Sequence, residues 1–160
     1  MYFYLVLPFI ISIIYSVRVQ SLVNAGNSSA ANRLNIGFLW QTSQFQHTVF
    51  SAFEIGVKRI RHEVHDYNIH YSMEDTSCNP KIGMKAVLKL KKKYQQLDAI
   101  IGPRCSLACE PVGLYAAALN IPQVGLQCIS DKLSDKKNYS TFTSARGYSK
   151  SMTVILVSLL

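Results

Sequence analysis

Residues 98–125 read D-A-I-I-G-P-R-C-S-L-A-C-E-P-V-G-L-Y-A-A-A-L-N-I-P-Q-V-G, and this stretch decides the fold. It opens on a short apolar run, 98–101, closed by Gly102-Pro103. An Ala-rich helix is expected over 111–119, and Pro122 then starts a second apolar run over 122–126. Strand, helix and strand joined by tight Gly/Pro turns make a crossover unit, the building block of a parallel sheet.

The flanking sequence repeats the pattern. Upstream, 34–40 is a candidate buried strand, and 47–64 has helical period with Val49, Phe50, Phe53, Val57, Ile60 and Val64 on one face. Residues 68–73 alternate as a second strand. Asn79-Pro80 opens a helix, Pro standing at its first turn, with Ile82, Ala86, Leu88 and Leu90 as its expected buried stripe. Downstream, 139–143 reads as a fifth strand and 148–160 as a last helix. The fold class is therefore α/β, a doubly wound parallel sheet with flanking helices. Ligands of such sheets bind at the carboxyl ends of the strands, here 40–43, 73–77, 102–105 and 126–129. Gln41 and Thr42 are polar residues at such an end, suited to hydrogen-bonding a ligand or to an ordinary loop.

Length and composition bound the rest. One modest core fits in 160 residues, and 49% hydrophobic with 16% charged residues excludes a disordered chain. Residues 2–17 are almost wholly apolar, shorter than the run of about 20 needed to span a bilayer, and Val23-Asn24-Ala25 follows with small residues. Residues 1–25 are read as a secretory signal peptide, with an uncleaved anchor as the alternative, and 26–33 as a flexible leader. The lobe itself is assigned to 34–160. Sequons at Asn27 and Asn138 fit a secretory route as glycosylation sites.

The formal charge is +8, and without 1–25 it is 16 − 9 = +7. The secretory reading leaves no nucleic-acid partner. Anionic lipid, sulfated sugars or an acidic partner remain for a basic surface. The lysines at 81, 85, 89 and 91–93 form a basic cluster, read either as a site for heparin-like polymers or an acidic partner, or as a solvated helix end whose lysines complement the dipole.

Four cysteines in a secreted chain allow three pairings. Cys78 follows the second strand and Cys105 the third. Both strands flank the first in a doubly wound sheet, so Cys78–Cys105 is favoured, with a stabilisation of roughly 3 kcal/mol. Cys109 and Cys128 then form a second bridge or remain two buried thiols. Zinc is disfavoured, since Cys105 and Cys109 have no second pair in a zinc pattern. His62-Glu63-Val64-His65 is one residue short of the zinc-protease motif and reads as solvated helix. The phosphate-binding and nucleophile-elbow glycine motifs are missing, which disfavours a cytosolic α/β enzyme. No cofactor is expected.

The segment G-P-R-C (102–105) with an upstream Cys, the P-V-G core at 111–113, the Ile121-Pro122 step, and then Y-S-T-F-T (139–143) and G-Y-S-K (147–150) resemble the membrane-distal lobe of the atrial natriuretic peptide receptor family. The resemblance covers roughly 34–151, within the wider type I periplasmic-binding-protein-like group. It implies the N-terminal part of a receptor guanylate cyclase's ligand-binding region, an incomplete lobe that signals through cyclic GMP in a full-length relative. That relative would sit at the plasma membrane, pair as a receptor homodimer and carry the cyclase in domains beyond this sequence. A secreted soluble binding or decoy protein of the same fold is the alternative. The resemblance also implies a Cys78–Cys105 bridge and, beside it, a chloride site whose nearest matches are Ser72, Arg104 and Cys105. Natriuretic receptors have Gly at the position of Arg104, so here the arginine offers a charge for an anionic ligand group. Leu114 and Pro80 also depart from the family pattern, and Cys109 and Cys128 are additional.

Overall fold

A computed structural model describes residues 32–41, 46–63 and 67–145, side chains at 32 and 46–49 excepted. The segment 1–25 expected to be a signal peptide, Asn27, Thr42 and the helix expected over 148–160 lie outside the described residues.

Five parallel strands form one sheet in the order β2-β1-β3-β4-β5: β1 Asn32–Trp40, β2 Tyr67–Asp75, β3 Ala99–Ile101, β4 Gln123–Gly125 and β5 Phe142–Ser144. The helices are α1 Gln46–Glu63, α2 Pro80–Lys93 and α3 Ser106–Ala118, with a 3-10 turn at Asp131–Ser134. The strand order reverses direction between β1 and β3, the signature of a doubly wound sheet.

The period of β1 explains the two layers. Successive side chains of a strand point to opposite faces. Leu34, Ile36, Phe38 and Trp40 pack with Phe53, Val57 and Ile60 of α1 and with Ile69 and Ile101. Leu39 packs on the other face with Ala86, Val87 and Leu90 of α2 and Val112 and Ala116 of α3. Both faces are covered, which is why β1 is apolar nearly throughout.

Several expectations need correction. The leader's last two residues, Asn32 and Arg33, belong to β1, because the ladder with β2 already starts at Asn32↔Tyr67. In α2 the buried residues are Gly83, Ala86, Val87 and Leu90, while Ile82 and Leu88 are exposed. Three-and-four spacing from Leu90 selects 87, 86 and 83, and only a small residue at 83 lets α2 approach Ala108 of α3.

Helix α3 starts five residues before Pro111, which therefore lies inside it. Pro111 has no N–H to offer the Leu107 carbonyl, but Leu107 is exposed and Pro111 half-buried, so the lost bond falls away from the core. The last strand starts at Phe142 rather than Tyr139, whose N–H is engaged by the Asp135 carbonyl in a turn. Tyr139 instead packs against Cys109, Cys128, Leu133 and Phe142.

Candidate functional site

The carboxyl ends of the strands come together as one cross-linked edge. Asn79 caps α2: its Oδ1 accepts from the N–H groups of Lys81 (2.9 Å) and Ile82 (3.3 Å). Helix α3 starts directly after Cys105. Both helix N-termini, the positive ends of their dipoles, thus lie at this edge, and neither first turn holds a carboxylate.

Cys78 and Cys105 are joined, with Cα atoms 5.3 Å apart, which ties the β2–α2 loop to the β3–α3 loop. Cys109 and Cys128 are also joined, with Cα atoms 6.3 Å apart, which ties α3 to the segment after β4. Both sulfurs of this second bridge lie against the Pro103 carbonyl, at 3.3 and 3.1 Å. A bridged sulfur has no proton, so these are packing contacts rather than hydrogen bonds.

Arg104 occupies the middle of the edge. Its Nε donates to Gln127 Oε1 at 2.6 Å, and its guanidinium carbon stands 5.7 Å from the centre of the Trp40 ring. The contact with the ring and the Gln127 bond fix the head-group. Among the described residues the terminal Nη atoms have no partner, so the outer edge of the fork is available to an acceptor. Trp40, 6% exposed, leaves its indole Nε1 without a partner among those residues.

Gly102, with a φ of +95°, sets the position of Arg104. Its N–H donates to the Val124 carbonyl (2.7 Å), and Gln123 Nε2 donates to its carbonyl (3.0 Å). The peptide to Pro103 is cis. The neighbouring ends are held too. The Thr76 N–H and hydroxyl both donate to the Trp40 carbonyl, at 2.7 and 2.9 Å. Ser106 Oγ accepts from the Ile129 N–H at 3.0 Å, and the Ser144 hydroxyl donates to the Cys128 carbonyl at 3.1 Å.

Of the residues singled out in the sequence, Arg104 and the bridged Cys78 and Cys105 share this edge, and Gln41 follows β1 into it. Ser72 does not join them. It lies inside β2, opposite Gly37, three residues short of the strand end. Its hydroxyl is taken by Tyr94 Oη (2.8 Å) and Lys93 Nζ at the far end of α2. The strand runs on to Asp75, so Ser72 lies in the strand interior and not at its carboxyl end. Asn138 is exposed in a turn, its Nδ2 donating to Asp135 Oδ2 at 2.7 Å.

Trp40 and Gln127 fall within the strand-end segments 40–43 and 126–129, but the sequence does not single them out as partners of Arg104. Trp40 ends an apolar strand and reads from sequence as core, and nothing in the sequence pairs Gln127 with Arg104. At the opposite edge, burial raises the Asp98 pKa, while its bonds from the Asn35 N–H (2.7 Å) and Gln96 Nε2 (2.7 Å) and the Lys91 charge pull it back.

A parallel α/β lobe with a polar, cross-linked carboxyl edge belongs structurally with type I periplasmic-binding-protein-like folds. Among solved structures, an ABC transporter substrate-binding protein from Desulfitobacterium hafniense is similar over 78% of this chain and 37% of its own, with a TM-score of 0.67 and 16% identity. An R. palustris solute-binding protein in complex with 4-hydroxybenzoate is similar over 73% and 32%, with a TM-score of 0.59 and 14% identity. At these identities the likeness establishes the fold alone.

Residues 48–160 match the family model described as "Receptor family ligand binding region", and the chain belongs to that family. The Resact receptor of Arbacia punctulata is 31% identical over 119 residues, covering 69% of this chain and 12% of the receptor. The Speract receptor of Strongylocentrotus purpuratus is 37% identical over 76 residues, covering 48% and 6%. The receptor-type guanylate cyclase gcy-8 of Caenorhabditis elegans is 28% identical over 117 residues, covering 72% and 10%. The chain thus spans about a tenth of the length of these relatives. What matches is a receptor's ligand-binding region and not a catalytic domain. Among the described residues no helix is long and apolar enough to cross a membrane.

Proposed function

We propose that this lobe is part of the extracellular ligand-binding region of a receptor guanylate cyclase. In this reading it receives a peptide or small-molecule ligand at the carboxyl edge of its sheet, and occupancy controls cyclic GMP synthesis by domains of a longer chain. The observation that carries the reading is Arg104: a guanidinium over the Trp40 ring, oriented by Gln127, with its outer fork unpaired among the described residues, at an edge that holds two helix N-termini. That arrangement suits a carboxylate, phosphate or other anionic group of a ligand. The relatives, two of them named as receptors and one as a receptor-type guanylate cyclase, support the signalling role. Pairing of two receptor chains belongs to the same reading. It is supported by the outer face of α3, where Leu107 and Leu114 stand exposed on a helix whose sole charged residue is Glu110.

Trp40 is the single tryptophan of the chain, so its emission reports on the site directly. A ligand with an anionic group changes that emission on binding, and its neutral amide or ester analogue does not. Arg104→Met weakens binding by about 10- to 100-fold, the worth of one hydrogen bond to a charged group. Calorimetric binding of such a ligand with no change in Trp40 emission and no loss in Arg104→Met would place the ligand elsewhere. In cells expressing the longer message, the same ligand raises cyclic GMP.

A further inference from the structure

Helix α2 carries six lysines in fourteen residues (Lys81, Lys85, Lys89, Lys91, Lys92 and Lys93) and no carboxylate. The last three complement the negative end of the helix dipole. Lys81 and Lys85 do not: they stand in the first half of the helix, near its positive end, and repel each other at i, i+4. A solvated helix end accounts for Lys91, Lys92 and Lys93 and leaves Lys81 and Lys85 unexplained.

Helical geometry sorts the lysines. Gly83, Ala86, Val87 and Leu90 face the core. Lys81, Lys85, Leu88 and Lys92, at i, i+4, i+7 and i+11, form the opposite, outward stripe, and all four are exposed. From Lys81 to Lys92 the stripe runs about 16 Å along the axis. Lys89 flanks it and pairs with Glu74 at 2.9 Å. Lys91 and Lys93 donate to the Gln95 carbonyl and to Ser72. Lys81, Lys85 and Lys92 have no partner among the described residues.

We propose that this stripe binds a sulfated polysaccharide, laid along α2 with its anionic groups over Lys81, Lys85 and Lys92. The charge is linear, runs along one axis and comes wholly from lysine. Protein–protein interfaces are enriched in Tyr, Trp and Arg and depleted in Lys. The stripe has none of the first three, and Leu88 is the one large apolar residue within it, with Ile82 exposed at its flank, so it suits a charged polymer better than a folded acidic partner. The proposal rests on the extracellular placement above, since sulfated polysaccharides lie outside the cell. It would hold the receptor lobe on its surroundings through a face separate from Arg104.

The test is salt-dependent binding of the full chain to immobilised heparin. Lys81→Gln/Lys85→Gln/Lys92→Gln is compared with a charge-matched control, Lys58→Gln/Lys132→Gln/Lys137→Gln. All control positions are exposed and lie outside α2, and both variants are checked for folding by circular dichroism. The stripe variant loses about ten-fold or more in affinity near physiological salt, and its slope of log K against log salt falls by about two to three. The control keeps nearly all of its affinity. Equal loss in both variants would mean that net charge alone binds, and would overturn the proposal. Binding to polyglutamate as tight as to heparin, with the same variant pattern, would assign the face to an acidic polypeptide instead. Mass spectrometry of the expressed protein separates the two readings. Free thiols and an unmodified Asn138, alongside lysine-dependent heparin binding, would refute the extracellular placement and with it the proposal, while the cationic surface itself stands.

Discussion

Replacing Gly102 by alanine tests whether the carboxyl edge is built as described. A Cβ on Gly102 would lie 1.9 Å from the Leu39 carbonyl oxygen and 2.9 Å from its carbon. Leu39 is fully buried in the central strand, between Phe38, which pairs with Ile101, and Trp40, whose carbonyl Thr76 holds. Gly102 is held from the other side by Val124 and Gln123, so neither partner can retreat without opening the sheet between β1 and β3. A φ of +95° in a residue with a side chain adds about 1–2 kcal/mol. Loss of the two hydrogen bonds adds about 1 kcal/mol each. The expected destabilisation is about 3–4 kcal/mol, a large fraction of the roughly 5–15 kcal/mol by which such domains are stable. Gly125→Ala serves as the comparison. Its Cβ would meet the Phe142 ring edge at 2.6 Å, and a ring can tilt, so about 1–2 kcal/mol is expected. Urea unfolding followed by far-ultraviolet circular dichroism measures both. A Gly102→Ala loss under 1 kcal/mol, or one smaller than that of Gly125→Ala, refutes the claim that backbone contact at Leu39 fixes the Arg104 loop.

Two further perturbations follow from the same structure. The bridges close loops with sequence separations of 27 and 19 residues, so chain entropy alone makes each worth about 3–3.5 kcal/mol. Cys109 and Cys128 are fully buried, whereas Cys78 and Cys105 are half-buried. The Cys109→Ala/Cys128→Ala pair therefore loses about 1–2 kcal/mol more than Cys78→Ala/Cys105→Ala through buried volume, and the opposite ranking in urea midpoints contradicts the packing. Asp98 supplies a pH test. Desolvation raises its pKa in the folded state, so the protonated form favours folding. Its contribution is fully present below the unfolded-state value near pH 4 and is lost as pH rises through the folded value. The stability of the wild type relative to Asp98→Asn should therefore grow as pH falls from 7 towards 4. A difference that shrinks over that range means the bonds from Asn35 and Gln96 outweigh burial.

The layer order was legible because apolar runs such as 34–40 alternate with helices of clear period, so a parallel sheet with both faces covered was the remaining solution. The neighbourhood of Cys78 and Cys105 followed from that topology. Local pattern failed where tertiary contact overrode it. Ile82 and Leu88 are apolar by type, but the approach of α3 at Gly83 turns α2 so that they face outward. Tyr139 alternates with its neighbours as a strand residue would, yet the Asp135 carbonyl captures its backbone in a turn. Pro111 looked like a helix start, because sequence does not reveal that its missing N–H falls away from the core. At the site, Arg104 stood out by its setting in Gly-Pro-Arg-Cys. Its partners Trp40 and Gln127 lie 64 and 23 positions away in the sequence, and no periodicity links them.

What the edge gains from its cross-links is fixed geometry. Thr76 ties β2 to Trp40 of β1; Cys78–Cys105 ties the β2 loop to the β3 loop; Ser106 and Cys109 tie α3 to the segment after β4; Ser144 ties β5 to Cys128. Side chains thereby reinforce the ladder between β2 and β1, between β3 and β4 and between β4 and β5, and the Cys78–Cys105 bridge spans the end of β1 from β2 to β3. Arg104 sits in the middle of that series, with its Nε engaged by Gln127 and its guanidinium over the Trp40 ring. An immobilised arginine has already lost the rotamer freedom that ordering on binding would otherwise cost, about 0.5–1.5 kcal/mol for such a side chain. The fork thus meets an anionic group without reorganising, as a site set on rigid elements should. The same restraint explains how an arginine is accommodated where the natriuretic family pattern has glycine: the planar head-group lies over an aromatic ring already present at the end of β1.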